Sequence, residues 1–291
     1  MWSVFVVGGP LKQKVILITG CRAGIGLATA LAAAKSGHVV YAGLRDVSTD
    51  AQLREAAQGL PVIPLQLDIT KSEQRQEVVE QIVSEHGRID VLINNAGIGI
   101  GGFLEELEED ELRNVLDVNI LGTWAMTKAC LPTMRKQKKG LVLMISSLSG
   151  RMAIPGIGAY CTAKFALEGM AETWRHELAP FGIGVILIQP GAYRTDMIGD
   201  RRRICRAASD ASSPYRDLSA NMMQWYDHTV VDKAANPNDL AKELVALLEN
   251  RAPALRYPMG PKTFLRSIAI RLFPFWIIER FFQRVLNVGL K

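Results

Sequence analysis

Short apolar runs alternate with longer stretches of helical texture over the first two thirds of the chain. The runs are Val15-Ile16-Leu17-Ile18, Val39-Val40-Tyr41-Ala42, Val62-Ile63-Pro64-Leu65, Ile89-Asp90-Val91-Leu92-Ile93, Leu141-Val142-Leu143-Met144-Ile145 and Ile183-Gly184-Val185-Ile186-Leu187-Ile188. Their β-branched content predicts strands, and the near absence of polar alternation predicts that both faces of each strand are covered. Between them the pattern predicts helices over 25–36, 49–58, 71–86, 106–137 (as two helices) and 159–180. Strand and helix in strict alternation, with continuous apolar strands, predict an α/β fold with a doubly wound parallel sheet.

After Pro190 the rhythm breaks. Residues 192–230 hold Arg201-Arg202-Arg203, a Ser/Asp/Ala-rich stretch and the pair Trp225-Tyr226. A segment this long between regular elements predicts a partly helical lid after the sixth strand. Asn236-Pro237 then gives an N-cap and first-turn signal for a helix over 237–249, followed by a strand near Leu255-Arg256-Tyr257. Beyond Gly260 the pairs Phe264-Leu265, Ile268-Ala269 and Leu272-Phe273 lead to Ile277-Ile278, Phe281-Phe282 and Val285-Leu286. The last six fit one face of an amphipathic C-terminal helix, with Glu279, Arg280, Gln283 and Arg284 opposite. The expected organisation is a single domain over 1–260, lid included, and a basic amphipathic extension over 261–291.

Composition adds exclusions. A chain of 291 residues with 48% hydrophobic and 22% charged residues is neither disordered nor low in complexity. The net charge of +5 raises nucleic-acid and membrane-surface partners. Its location decides between them. Residues 262–291 hold six bases (Lys262, Arg266, Arg271, Arg280, Arg284 and Lys291) and one acid, Glu279, which leaves 28 bases and 28 acids in the other 261 residues. The body is therefore neutral, and with no recognition motif in it a nucleic-acid partner is excluded. The tail can cover a pocket, pack in an oligomer or lie on an anionic membrane surface.

Cys21, Cys130, Cys161 and Cys205 form no CxxC pair and read as reduced thiols, and the four histidines lack ligand spacing, so no metal is expected. Met1 to Gly9 lacks a basic start and is too short for a signal peptide, and no apolar run approaches bilayer length. The expected location is cytoplasmic, with the tail as the candidate for peripheral membrane contact.

The chemistry begins at Thr19-Gly20-Cys21-Arg22-Ala23-Gly24-Ile25-Gly26, which joins the first strand to the first helix. Gly20 permits a tight turn, Gly24 lets a pyrophosphate approach the backbone, and Gly26 allows close packing of helix on sheet. The helix N-terminus then faces an anion, and Ile25 belongs to the same site. The ordinary alternative is a glycine-rich turn without a ligand.

Tyr160 and Lys164 stand four apart, so on a helix their heads share a face. Ser147 lies thirteen residues earlier, just past a strand's carboxyl end, where ligands of open α/β sheets bind. A tyrosine with a pKa near 10 relays protons poorly at neutral pH, and a neighbouring ammonium is expected to lower it.

These features, in this order, resemble the short-chain dehydrogenase/reductase family over roughly residues 13–260. The resemblance rests on the G-x-x-x-G-x-G spacing of Gly20, Gly24 and Gly26, then Asp68, Asn94-Asn95-Ala96-Gly97, Asn119, Ser147, Tyr160 with Lys164, and Pro190-Gly191 with Thr195. It implies a Rossmann fold and an oxidoreductase. Tyr160 would move a proton as hydride passes between a nicotinamide and a carbonyl carbon, and Ser147 would hold the oxygen. Lys164 would lower the Tyr160 pKa and hold ribose hydroxyls, and Asn119 would support a water chain or simply bend its helix. Asp68, Asn95, Ala96, Gly97, Pro190, Gly191 and Thr195 would contact the cofactor, and a homodimer or homotetramer would be the assembly.

The strand-two end, Gly43-Leu44-Arg45-Asp46, carries no acid at the first two positions, and a guanidinium at Arg45 can pair with a 2′-phosphate. This favours NADP over NAD. Arg22 offers a second contact, although NADP-preferring relatives carry their base one place later, where this chain has Ala23. The 40–46 and 164–169 stretches resemble the hydroxysteroid and retinol dehydrogenase side of the family. That implies a hydrophobic ketone, aldehyde or secondary alcohol as substrate. Met152, Ile154, Tyr193, Met197, Ile198, Met222 and Trp225 would supply an apolar pocket or merely pack the lid. The run over 105–111, six acids and one leucine, reads as a solvated helix start. A non-catalytic nucleotide sensor on the same fold is the alternative function, weakened because Tyr160 and Lys164 are both present.

Overall fold

The computed structural model describes residues 12–199, 201–248 and 253–287. Met1 to Gly9, position 249 and Lys291 lie outside the described residues. Seven parallel strands run in the order β3-β2-β1-β4-β5-β6-β7. They are β1 (Val15–Thr19), β2 (Val39–Leu44), β3 (Val62–Gln66), β4 (Val91–Asn94), β5 (Gly140–Ile145), β6 (Ile183–Pro190) and β7 (Arg256–Met259).

Helices cover both faces: α1 (Gly24–Lys35), α2 (Ala51–Ala56), α3 (Ser72–His86), α4 (Glu109–Leu116), α5 (Thr123–Gln137), α6 (Gly158–Leu178), α7 (Arg216–Tyr226) and α8 (Pro237–Leu247). The expected doubly wound fold is present. Side chains alternate along each strand, so Val15 and Leu17 of β1 enter one core with Ile82, Met126 and Leu167. Ile16 and Ile18 enter the other, with Ala30, Ala33 and Leu244. This is why the strand sequences read as unbroken apolar runs.

Strand order reverses between β1 and β4, and the crevice outside their carboxyl ends is where such sheets take ligands. The lid holds α7 and is anchored by its arm, where Gly101 N–H donates to Arg203 O and Cys205 N–H to Gly101 O, both at 2.8 Å.

Two expectations are refined. The acidic 105–111 run does open a helix, with exposed Glu109 and Asp110 and half-buried Glu111 in the first turn of α4, and it has a further role. Asp110 and Glu111 accept from Arg206, Glu106 accepts from Ser213, and Glu105 accepts from Tyr215 at 2.5 Å, so the run is the lid's docking strip. The tail is two helices, α9 (Thr263–Leu272) and α10 (Phe275–Val285), because the backbone leaves the helical region at Phe273 and Pro274.

All four cysteines are buried free thiols. Among the described residues no helix is long and apolar enough to cross a membrane.

Candidate active site

Thr19 ends β1 and ties the switch point together. Its hydroxyl accepts from the N–H groups of Asn95 and Ala96 at 3.1 and 2.9 Å. Asn95 Nδ2 returns bonds to the carbonyls of Thr19 and Gly20 at 2.8 and 3.0 Å. Asn95 is thus a brace between strand ends. Gly20 adopts φ +74°, and a Cβ there would lie 2.8 Å from Ala96 Cα, so both conformation and space require glycine. A Cβ on Gly26 would meet Gly20 O at 2.2 Å, so its absence lets α1 close on the loop. Ala23 caps α1 without a side-chain hydrogen bond, which leaves the first-turn N–H groups presented for an anion.

One cavity of about 1360 Å³ opens over these strand ends. It is lined by Gly20, Arg22, Gly24, Ile25, Arg45, Asp68, Asn95, Ala96, Gly97, Ser147, Tyr160, Lys164, Pro190, Gly191 and Thr195. Of the residues singled out in the sequence, Gly26 and Asn119 lie behind this wall. All seven expected apolar pocket residues, Met152 to Trp225, do face the cavity.

Tyr160 and Lys164 share a face of α6, as the spacing requires. Lys164 Nζ donates to Ile145 O at 2.7 Å, at the end of β5, and lies 5.5 Å from the Tyr160 ring centre. Burial pushes the Lys164 ammonium down to about 8, against the opposing pull of Glu168. Tyr160 departs from the expected lowering. Burial holds its phenol above the ordinary range and outweighs the Ser147 hydrogen bond, so the tyrosine carries its proton at neutral pH. Ser147 Oγ also accepts from Ser149 N–H at 3.1 Å, which fixes the hydroxyl beside the tyrosine.

Asn119 sits in a widened turn, Asp117–Gly122, between α4 and α5. Its Oδ1 accepts from Ile98 N–H and its Nδ2 donates to Ile98 O, both at 2.8 Å. Both amide ends therefore brace the loop that carries Gly97.

Just past β2, the Asp46 carboxylate accepts from Ser48 N–H at 3.0 Å and Ser48 Oγ–H at 2.6 Å, and these bonds hold it below the usual carboxylate range. It is engaged in its own turn. Asp68 Oδ1 accepts likewise from Thr70 N–H at 2.9 Å. Arg22 is paired with Asp196 at 2.5 Å across the mouth of the glycine loop, and Arg45 lines the same cavity.

Sequence reasoning missed Glu168. It is buried on α6, four residues after Lys164. Its Oε1 accepts from Ser146 Oγ–H at 2.7 Å and Gln189 Nε2–H at 2.9 Å, and its Oε2 accepts from Arg256 at 2.8 Å. This carboxylate joins β5, β6, α6 and β7 directly behind Ser147. The only local signal was its i+4 spacing from Lys164. The tail also enters the cavity wall through Arg266, Ile270, Phe273 and Ile278, while Trp225 of α7 meets Phe281 and Phe282 edge-on.

Known proteins resemble this chain over most of its length. The family profile described as short chain dehydrogenase matches residues 14–204. A 3-ketodihydrosphingosine reductase of Bacteroides thetaiotaomicron is 34% identical over 282 residues, which span 96% of this chain and 98% of that protein. Human 17-beta-hydroxysteroid dehydrogenase type 1 is 36% identical over 275 residues, 90% of this chain and 82% of its own length. The solved structure of an alcohol dehydrogenase from Thermococcus sibiricus, complexed with 5-hydroxy-NADP, superposes with a TM-score of 0.68 at 27% identity, over 84% of this chain and 94% of that one.

Proposed function

The chain belongs to the short-chain dehydrogenase family, and on that premise we propose that it is an NADP-dependent oxidoreductase of a long, lipophilic ketone, aldehyde or secondary alcohol, with Tyr160 as the proton-transferring group. The observation that carries this reading is the convergence of Tyr160, Ser147 and Lys164 on the strand-end floor of one large apolar cavity.

The residues present fit a nicotinamide dinucleotide. The glycine loop leaves no room for side chains at Gly20 and Gly26, and the uncapped N-terminus of α1 suits a pyrophosphate. Arg45 would hold a 2′-phosphate, and Lys164 would hold ribose hydroxyls. Bound there, the nicotinamide would supply or accept the hydride. Everything else falls to the chain. Tyr160, protonated by burial, donates its proton to the substrate oxygen in reduction and takes one back in oxidation. Ser147 holds that oxygen, and the Lys164 ammonium stabilises the phenolate left behind.

Substrate class follows from the cavity. Part of the 1360 Å³, between the glycine loop and Arg45, would go to the dinucleotide, and the lid side that remains is walled by apolar Met197, Met222, Trp225 and Phe273, which supports a hydrophobic substrate. The names of the sphingoid and steroid relatives agree with a bulky apolar ligand. The test is Tyr160→Phe. Turnover is expected to fall by roughly 10²–10⁴-fold while NADPH affinity holds within about threefold, because the ring remains and only its proton is lost. Turnover at the wild-type rate would remove Tyr160 from this role.

A further inference from the structure

Among the described residues, half of the exposed large hydrophobic side chains fall between positions 264 and 281. They gather where α9 gives way to α10 at Pro274. Leu272 and Phe275 are each 73% exposed, Leu265 is 66% exposed, and Trp276 is 54% exposed. An apolar patch of this kind on a folded chain marks an interaction surface. Bases surround it: Arg271 precedes the corner, and Arg280 lies 5.3 Å over the Trp276 ring.

The other side of the same two helices is spoken for. Phe282 is buried, Asn221 Nδ2 of α7 donates to Leu286 O at 3.3 Å, and Ile270 and Ile278 line the cavity. The helices therefore pack on their own fold with one face and present aromatic and cationic groups with the other.

Charge selects the occupant. The segment from 262 to 287 has five bases and Glu279 as its acid, whereas the body is neutral. A second copy meeting this face symmetrically would set these bases against their equivalents, at a cost in repulsion. An anionic lipid surface satisfies both halves of the patch, with aromatic rings at the headgroup boundary and arginines among the phosphates.

We propose that the α9–α10 corner docks on an anionic lipid bilayer. The cavity, part of whose wall is these same helices, then opens beside the membrane and fills from it. This second clause rests on the lipophilic substrate proposed above; the docking does not.

The experiment is sedimentation of the full chain with phosphatidylcholine vesicles, with and without phosphatidylglycerol. The wild type is expected to bind the anionic vesicles and to release them in high salt. Arg271→Gln with Arg280→Gln should weaken binding by about 30-fold, since each base near such a surface strengthens it roughly fivefold. Leu272→Ser, Phe275→Ser and Trp276→Ser together should abolish it. Both variants are checked for unchanged NADPH affinity and circular dichroism, so loss of binding is not loss of fold. Wild-type protein left in the supernatant, or equal binding to neutral vesicles, would overturn the proposal. So would a dimer that the triple variant dissolves, since a second copy would then be the occupant. Vesicle binding does not depend on turnover, so it can fail or hold independently of the oxidoreductase reading. If docking holds, Arg271→Gln with Arg280→Gln should slow reduction of a vesicle-borne ketone but not of a water-soluble one.

Discussion

Along β1 all five residues are buried, whereas along the eleven residues of α10 Phe282 alone is buried. Both segments are mostly apolar, four of five residues in β1 and seven of eleven in α10, so hydrophobicity by itself does not fix where a residue ends up. In the sheet, helices on both faces supply the cover, and alternate side chains enter two separate cores. In the tail, one face packs on α7 and the cavity wall, and the other has no cover among the described residues. Charge follows the same division, with a neutral body and a cationic tail. The body holds a reaction site together, and the tail offers a surface.

Substitutions in the two regions should therefore differ in kind. The largest effect on stability is expected at Glu168, where Ala would strip the buried Ser146 and Gln189 of their acceptor and leave the half-buried Arg256 with Glu172 as its remaining carboxylate. Unfolding free energy from urea titration should fall by about 3 kcal/mol. A loss near zero would show that the strands behind Ser147 are held without it. Arg45→Asp should act on ligand choice and leave the fold alone. It should move the ratio of NADP to NAD affinity by roughly tenfold or more toward NAD, measured by fluorescence titration. An unchanged ratio would shift the selecting group elsewhere, with Arg22 the next candidate. The smallest effect belongs to the tail. Replacing Leu272, Phe275 and Trp276 by Ser should alter the melting temperature by no more than about 2 °C, because these side chains are already in solvent. A large drop would mean the corner is part of the core and would erase the contrast.

Features encoded locally were legible in the sequence. The strands could be read because cover on both faces removes polar alternation, and the glycine loop because its turn, close approach and helix entry fall within eight residues. Tyr160 and Lys164 could be read because i+4 spacing on a helix is itself geometry. What depended on distant partners could not. Glu168 draws Ser146 from just past β5, Gln189 from β6 and Arg256 from β7, and nothing in its neighbourhood announces them. The docking role of the acidic 105–111 run was hidden because Arg206, Ser213 and Tyr215 reach it from about a hundred residues away. The Tyr160 pKa was expected to fall because the lysine spacing is visible in sequence, while the burial that raises it is not. That the tail walls the cavity is one of three readings open in the sequence, and choosing it needs the tertiary placement of α7.

The most direct test of hydride transfer in this cavity follows a label. The full chain would turn over a long-chain ketone with NADPH carrying deuterium at C4 of the nicotinamide, the two C4 positions being labelled in separate preparations. The account predicts one deuterium on the new carbinol carbon from one of the two preparations, with the hydroxyl hydrogen coming from water through Tyr160. Alcohol formed without deuterium from either preparation would contradict it.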